Sequence, residues 1–149
     1  LRQQWGLLGE VEELHGHNSA ALWREVANVA PLLPDLDAII WRLSVTPSLG
    51  AGIMAAALAA GGEGYYDWAG GLLWLSLAPS EDGGTALVRG ALRGPEAGHA
   101  TLMRGPDALR ERIDVFQPSM PALAALSARI KNSFDPHRIL NPGRMYGAY

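Results

Sequence analysis

Alternation of apolar and polar residues is sharpest at residues 37–45. Ile39, Trp41, Leu43 and Val45 point to one side of an extended strand, and Ile40, Arg42 and Ser44 to the other. The second side, with an arginine and a serine beside an isoleucine, is neither a plain solvent face nor a plain core face. Residues 98–104 alternate in the same way and put His99, Thr101 and Met103 on one side. Elsewhere the period becomes helical. Asn18-Ser19 offers an N-cap for a helix to about Val29, with Leu22, Val26 and Val29 as its stripe, Trp23 and Ala27 beside it, and Pro31 and Pro34 ending it. A second helix starts at Thr46-Pro47-Ser48, buries Leu49, Ile53, Ala56, Ala57 and Ala60, and stops at Gly61-Gly62. A third, at residues 84–93, uses Leu87, Val88, Ala91 and Leu92, with Glu81 and Asp82 near its positive end. Pro106-Asp107 starts a short helix to about Arg112, and the last helix turns Leu123, Leu126 and Ile130 inward.

Three stretches are ambiguous. Residues 10–14 fit a short edge strand or part of a helix, and Val115-Phe116 an edge strand or a packed loop. Residues 65–77 are apolar and aromatic, broken by Gly70-Gly71. They fit one long strand with a glycine bulge, or two antiparallel strands joined by a tight glycine turn; two strands complete a recognisable unit. The order is then helix, β-α-β-β-α-β, helix and tail. Its middle is the split βαβ pattern of ferredoxin-like folds. The expected class is α+β, an antiparallel sheet with helices on one face and the other face free to meet a ligand or a second domain.

With 149 residues the chain suits a single domain, 1–149, with a sizeable core. A net charge of −3 gives no support to a nucleic-acid partner. No cysteine is present, so disulfides, a cysteinyl flavin link and iron–sulfur ligation are excluded within this chain. No apolar run reaches membrane-spanning length; residues 53–60 are apolar but short. His15-Gly16-His17 offers two ligands where a structural metal site uses four, and no metal is assigned. The chain begins at Leu1 and shows no Gly-rich phosphate loop after a strand near that end, so it is read as a fragment or an excised domain.

The most informative stretch is the last. Phe134-Asp135-Pro136 and Ile139-Leu140-Asn141-Pro142-Gly143-Arg144-Met145 carry two prolines and a glycine that stop the arriving helix. Pro136 holds Asp135 extended, and Pro142-Gly143 suits the centre of a type II turn. The segment reads as a rigid loop presenting Asn141 and Arg144, or simply as a helix stop that locks the C-terminus onto the core. Phe134 and Leu140 are expected to anchor it, so Phe134→Ala should lower stability sharply.

This tail resembles the C-terminal signature of FAD-linked oxidases of the vanillyl-alcohol-oxidase type. Trp41-Arg42-Leu43-Ser44, Asp67-Trp68-Ala69-Gly70-Gly71-Leu72-Leu73-Trp74-Leu75 and Gly98-His99-Ala100-Thr101 resemble, in that order, the second flavin-type subunit of bacterial glycolate oxidase. The resemblance runs from about Trp23 to Tyr149. It implies the C-terminal, substrate-side domain of an FAD-dependent 2-hydroxy-acid oxidoreductase subunit, whose diphosphate-gripping domain lies N-terminal and is absent from this chain. It implies a sister flavin subunit and an iron–sulfur subunit as partners, and a cytoplasmic place, peripheral at the inner membrane through those partners. The isolated chain is expected to be inactive and not to hold FAD tightly.

Arg42 needs an anionic partner, because an unpaired charge in mid-strand is costly to desolvate. A salt bridge within the chain is one reading. The resemblance favours the other, a substrate carboxylate held bidentately, with Ser44 beside it. His99 is either a histidine satisfied by the backbone or the base that takes the hydroxyl proton as hydride leaves. The resemblance puts Asn141, Gly143 and Arg144 near the flavin ring, Arg144 stabilising its reduced anion. Related catalytic subunits carry metal-binding histidine and acid signatures where this chain has only Gly-His-Ala-Thr. That departure supports an alternative, a non-catalytic assembly module with Arg42 and His99 merely structural. The open sheet face with Arg42 and Ser44 is the expected contact surface of the absent domain. The five tryptophans read as core.

Overall fold

The computed structural model describes residues 12–92, 94, 97–143 and 146. Contacts divide the chain into two compact units, Leu1–Pro34 and Asp35–Tyr149. Residues 10 and 11 of the ambiguous stretch at residues 10–14, and Trp5, Arg93 and Arg144, lie outside the described residues; residues 12–14 are neither strand nor helix.

In the first unit, helix α1 spans Gly16–Ala27. It begins before the expected Asn18-Ser19 cap: His15 is the extended N-cap residue and makes no side-chain cap bond. None of its residues is buried, and Leu22 and Trp23 are exposed; of the expected stripe, Val29, just past the helix end, is the buried member. Pro31 lies in a 3₁₀ turn, Ala30–Leu32, that follows a left-handed Val29.

The second unit holds the sheet. Strands β1 (Ile39–Val45), β2 (Glu63–Asp67), β3 (Leu72–Leu77) and β4 (Gly98–Arg104) pair antiparallel in the order β2-β3-β1-β4. That is the α+β, ferredoxin-like arrangement: β1 and β2 are the split pair, with β3 returning between them. Residues 65–77 thus give two strands. The turn between them is not centred on the glycine pair: Trp68 and Ala69 take positive φ in a 3₁₀ turn, Trp68–Gly70, and Asp67 accepts the Trp68 N–H at 2.7 Å.

Helix α2 (Pro47–Ala59) buries Gly50, Ile53, Met54 and Ala57, whereas Leu49, Ala56 and Ala60 are exposed. The helix is rolled toward Gly50, which allows a close approach to the sheet; a Cβ there would sit a tight 3.1 Å from the Gly70 carbonyl. A left-handed Gly61 and a bond from the Gly62 N–H to the Ala57 carbonyl, 2.9 Å, end it as expected. Helix α3 (Thr85–Gly90) is shorter than the pattern predicts and stops at a glycine, a poor helix former. Asp82 carries its N-terminus, accepting from Gly84 and Ala86 at 3.0 and 2.9 Å, and these bonds hold its carboxyl below the usual range. Helix α4 is the short turn Asp107–Arg110, and α5 spans Pro121–Phe134.

One face of the sheet is the core. Ile39, Trp41, Leu43 and Val45 of β1 meet Leu73, Leu75 and Leu77 of β3 and Ala100 and Leu102 of β4, with Ile53, Met54, Ala57, Val88 and Leu109 closing over them. Residues 115 and 116 form a packed loop rather than a strand: the Leu102 N–H donates to the Val115 carbonyl at 2.8 Å, and Gln117 takes the Ala100 N–H. Among the described tryptophans only Trp41 is core; Trp74 is half-buried, while Trp23 and Trp68 are 64% and 70% exposed.

Helix α5 departs furthest from expectation. Leu123, Leu126 and Ile130 are exposed, and Phe134 is 85% exposed. The less exposed side of the helix is Ala124, Ser127, Ala128 and Lys131. Phe134 therefore does not anchor the tail, and neither does Leu140, at 60% exposed. Phe134→Ala is expected to change the unfolding free energy of this 149-residue chain by no more than about 0.5 kcal/mol, the usual limit for surface substitutions. A loss of the roughly 3–5 kcal/mol typical of a buried phenylalanine, read from urea titration, would restore the anchor.

Candidate functional site

Cross-strand register assembles the site on the face opposite the core. Arg42 of β1 lies opposite Trp74 of β3 and Thr101 of β4, and Tyr65 of β2 lies opposite Trp74. One row across all four strands is therefore Tyr65, Trp74, Arg42, Thr101. The next row is Asp67, Leu72, Ser44, His99. Directly paired residues share a face and stand about 4.5–5.5 Å apart at Cα. The sequence-predicted Arg42, Ser44 and His99 thus meet on one surface. They do so because β1 and β4 alternate in step, with the irregularity in their pairing confined to Ile40/Trp41.

Arg42 is half-buried, its guanidinium 6.0 Å from the centre of the Trp74 ring. A cation over an indole face is attracted by the ring quadrupole, but the ring carries no net charge to balance it. Among the described residues Arg42 has no carboxylate or hydrogen-bond partner. Ser44 and Thr101 are half-buried and His99 is exposed. Burial, and then Asp67, raise the Tyr65 hydroxyl above its ordinary pKa. The arrangement sets the Arg42 guanidinium fork among hydroxyl and imidazole groups, with the Asp67 carboxylate at the β2 end of the second row; the Arg42 end is suited to a small anion with its own donors. A second cleft, of about 170 Å³, is lined by Asp35, Ala38, Gly61, Glu63, Ser76, Leu77 and Ala78. Its two carboxylates give it the wrong sign for an anion. Among the described residues no group of three or more His, Cys, Asp or Glu side chains comes together to hold a metal. Among the described residues, no helix is long and apolar enough to cross a membrane.

The tail is built separately. Asn141 is exposed and left-handed (φ 47°), and Gly143 has the positive φ, 68°, that the second centre of a type II turn requires. Among the described residues neither is bonded to Arg42, Ser44 or His99. What fixes the tail is a pair that sequence reasoning passed over. Lys131 donates to Asp135 at 2.6 Å and to the Leu140 carbonyl at 2.6 Å. Asp135, buried, accepts the N–H groups of Ile139 and Leu140 at 2.9 Å each. The available signal was an acid four residues after the lone lysine, placed before a proline.

The bond from Lys131 is the main cause holding the Asp135 carboxyl down, at about 2, with the two backbone bonds adding and burial opposing. A depressed carboxyl stabilises the fold fully above its unfolded pKa, about 3.9. The contribution is lost as pH falls through that value toward 2. Asp135→Asn should therefore flatten the acid limb of the stability curve between about pH 4 and pH 2 and speed amide exchange at Ile139 and Leu140. An unchanged acid limb would remove the clamp.

The chain is 27% identical over 143 residues to glycolate oxidase subunit GlcE of Escherichia coli K12, a match covering 95% of this chain and 36% of that protein. The chain thus spans about a third of the length of the relative it matches. No model of a known protein family matches it, and no solved structure does.

Proposed function

We propose that the chain is the C-terminal, substrate-side domain of a glycolate-oxidase-like flavoprotein subunit, taking part in FAD-dependent oxidation of glycolate or a similar 2-hydroxy acid. The observation that carries this reading is the half-buried Arg42, with no anion of its own among the described residues, on the sheet face opposite the core, shared with Ser44 and His99. Similarity to a glycolate oxidase subunit over nearly the whole chain supports it. Arg42 binds the carboxylate and fixes the substrate's orientation, Ser44 adds a hydrogen bond, and His99 accepts the hydroxyl proton as the α-carbon loses hydride. FAD, when bound, supplies the hydride acceptor. Its diphosphate would be held by residues outside these 149, and Asn141, Gly143 and Arg144 would lie toward its ring. Electrons would pass on to a sister flavin subunit and an iron–sulfur subunit.

The test is turnover of the assembled complex. Arg42→Ala should raise KM for the hydroxy acid, because a charge-assisted bond is worth about 1.5–3 kcal/mol. His99→Ala should lower kcat by about 10²-fold or more, the usual share of a positioned base. A second reading, that of a non-catalytic assembly module, is favoured by the exposure of His99 and by the absence of a metal-binding group among the described residues. Normal turnover by both variants, in correctly assembled complexes, would select it.

A further inference from the structure

Helix α5 shows the outside a stripe of the kind that helices normally bury. Leu123, Leu126, Ile130 and Phe134 recur at helical spacing and are all exposed. From Leu123 to Phe134 the stripe runs about 17 Å along the axis, at about 1.5 Å per residue. Ile139 and Leu140, 74% and 60% exposed, continue it past the helix end. They are not on a loose tail: the Lys131–Asp135 clamp fixes the backbone at both residues. An exposed, contiguous and pre-fixed apolar surface is the signature of a contact site, and one whose ordering cost is already met by the fold.

Charge narrows the occupant. Residues 117–149 carry Arg129, Lys131, Arg138 and Arg144 against a single acid, Asp135, for a net of +3. The whole chain is −3, which leaves −6 on residues 1–116. Arg129 on α5 and Arg138 just past it therefore give the stripe basic neighbours on an acidic protein. Two copies paired through α5 would bring like charges together, whereas a face edged with carboxylates would complement it. The relative has a source for such a face in the same polypeptide, since about two-thirds of its length lies outside the match.

We infer that the outward stripe of α5, with Ile139 and Leu140, is the seat for an acid-edged apolar face of the flavin-binding half of a longer polypeptide. This rests on the reading of the chain as the C-terminal domain of a flavoprotein subunit. It adds a docking surface on a different element from the sheet face that carries Arg42. The stripe residues take no part in the chemistry; their task is to hold the two halves in one geometry.

The experiment uses the product of the natural gene at its full length, purified with its flavin. Hydrogen exchange followed by mass spectrometry should show residues 121–134 protected in the monomer. Ile130→Asp, at an exposed position and with far-UV circular dichroism unchanged, should speed that exchange at least tenfold and weaken flavin retention by a similar factor. Arg129→Glu should do the same more weakly, with the defect shrinking as salt rises. If the flavin is retained and the Ile130→Asp and Leu126→Asp variants leave both exchange and flavin affinity unchanged, this inference falls and the functional reading stands. Protection that appears only in a dimer, only with an added second protein, or only on phosphatidylserine vesicles also overturns it. A gene product whose mass and spectrum show no flavin-binding half instead sinks the functional reading, which the same purification reveals before any variant is made.

Discussion

Gly98→Ala is expected to cost several kcal/mol and, in a domain of ordinary stability, to leave a large unfolded fraction at 37 °C. Gly98 opens β4 opposite Val45, with φ at 117°, a conformation that L side chains rarely adopt. A Cβ there would lie 2.0 Å from the Ser44 carbonyl oxygen and 2.7 Å from the Val45 Cα. Both obstacles are backbone atoms of the central strand, so neither can swing aside as a side chain would. Backbone strain of this kind costs about 1–3 kcal/mol, and overpacking adds about 1–3 kcal/mol. The sum is a large share of the roughly 5–15 kcal/mol that holds a domain together. The damage falls where the candidate site is assembled, because Ser44 and His99 are the next paired residues. The urea midpoint is the measurement. A Gly98→Ala protein within 1 kcal/mol of the parent would mean that β4 approaches β1 less closely than described.

Period-two and helical patterns placed the sheet well in advance, because alternation with Trp, Leu and Ile on one side leaves little choice of face. Residues 98–104 form a strand with the predicted boundaries, and His99 and Thr101 share a face, while the irregular pairing skips Met103. Arg42 was legible as a charge in need of a partner, since a lone arginine interrupts an otherwise apolar strand. Its stacking partner, Trp74, was not. Which strand lies next to β1 is a matter of topology, and a tryptophan in an apolar run reads as core until register is known. The inward-facing reading of Leu123, Leu126 and Ile130 failed for a related reason. Periodicity shows that a helix has an apolar side but not what that side meets, and here the rotation of α5 goes with the Lys131–Asp135 clamp. Gly98 gave no sign of its constraint, because a glycine at a strand start looks like any other turn residue.

Trp41→Ala should be the most damaging single change in the core. The ring is fully buried at the centre of β1. Truncating a buried aromatic costs about 3–5 kcal/mol in lost transfer energy and cavity. Two further links would go with it. Trp41 Nε1 donates to the buried Gly83 carbonyl at 2.7 Å, and an acceptor left unsatisfied costs about 1–3 kcal/mol more. The Arg89 guanidinium sits 5.4 Å from the ring centre and donates to the carbonyls of Asp114 and, at 2.9 Å, Phe116. Burial already lowers the Arg89 pKa, and its Nε finds no partner, so it depends on the indole beneath it. Without the ring, the loop that covers the β4 edge loses part of its tether. Trp41→Phe separates these contributions. It keeps most of the volume and an aromatic face for Arg89 but loses the bond to Gly83, and should cost about 1–3 kcal/mol, the unsatisfied-acceptor cost alone. Since Trp41 is the residue before Arg42, with its side chain on the opposite face, a collapsed core would also tilt the guanidinium away from Trp74. The double comparison is therefore read twice, by urea midpoint and by the fluorescence of Trp74 in a Trp41→Phe protein whose Trp5, Trp23 and Trp68 are also phenylalanine. If Trp41→Phe is as costly as Trp41→Ala, the hydrogen bond rather than the packing holds this part of the core. If both are mild, the centre of β1 is not where the stability of the domain resides.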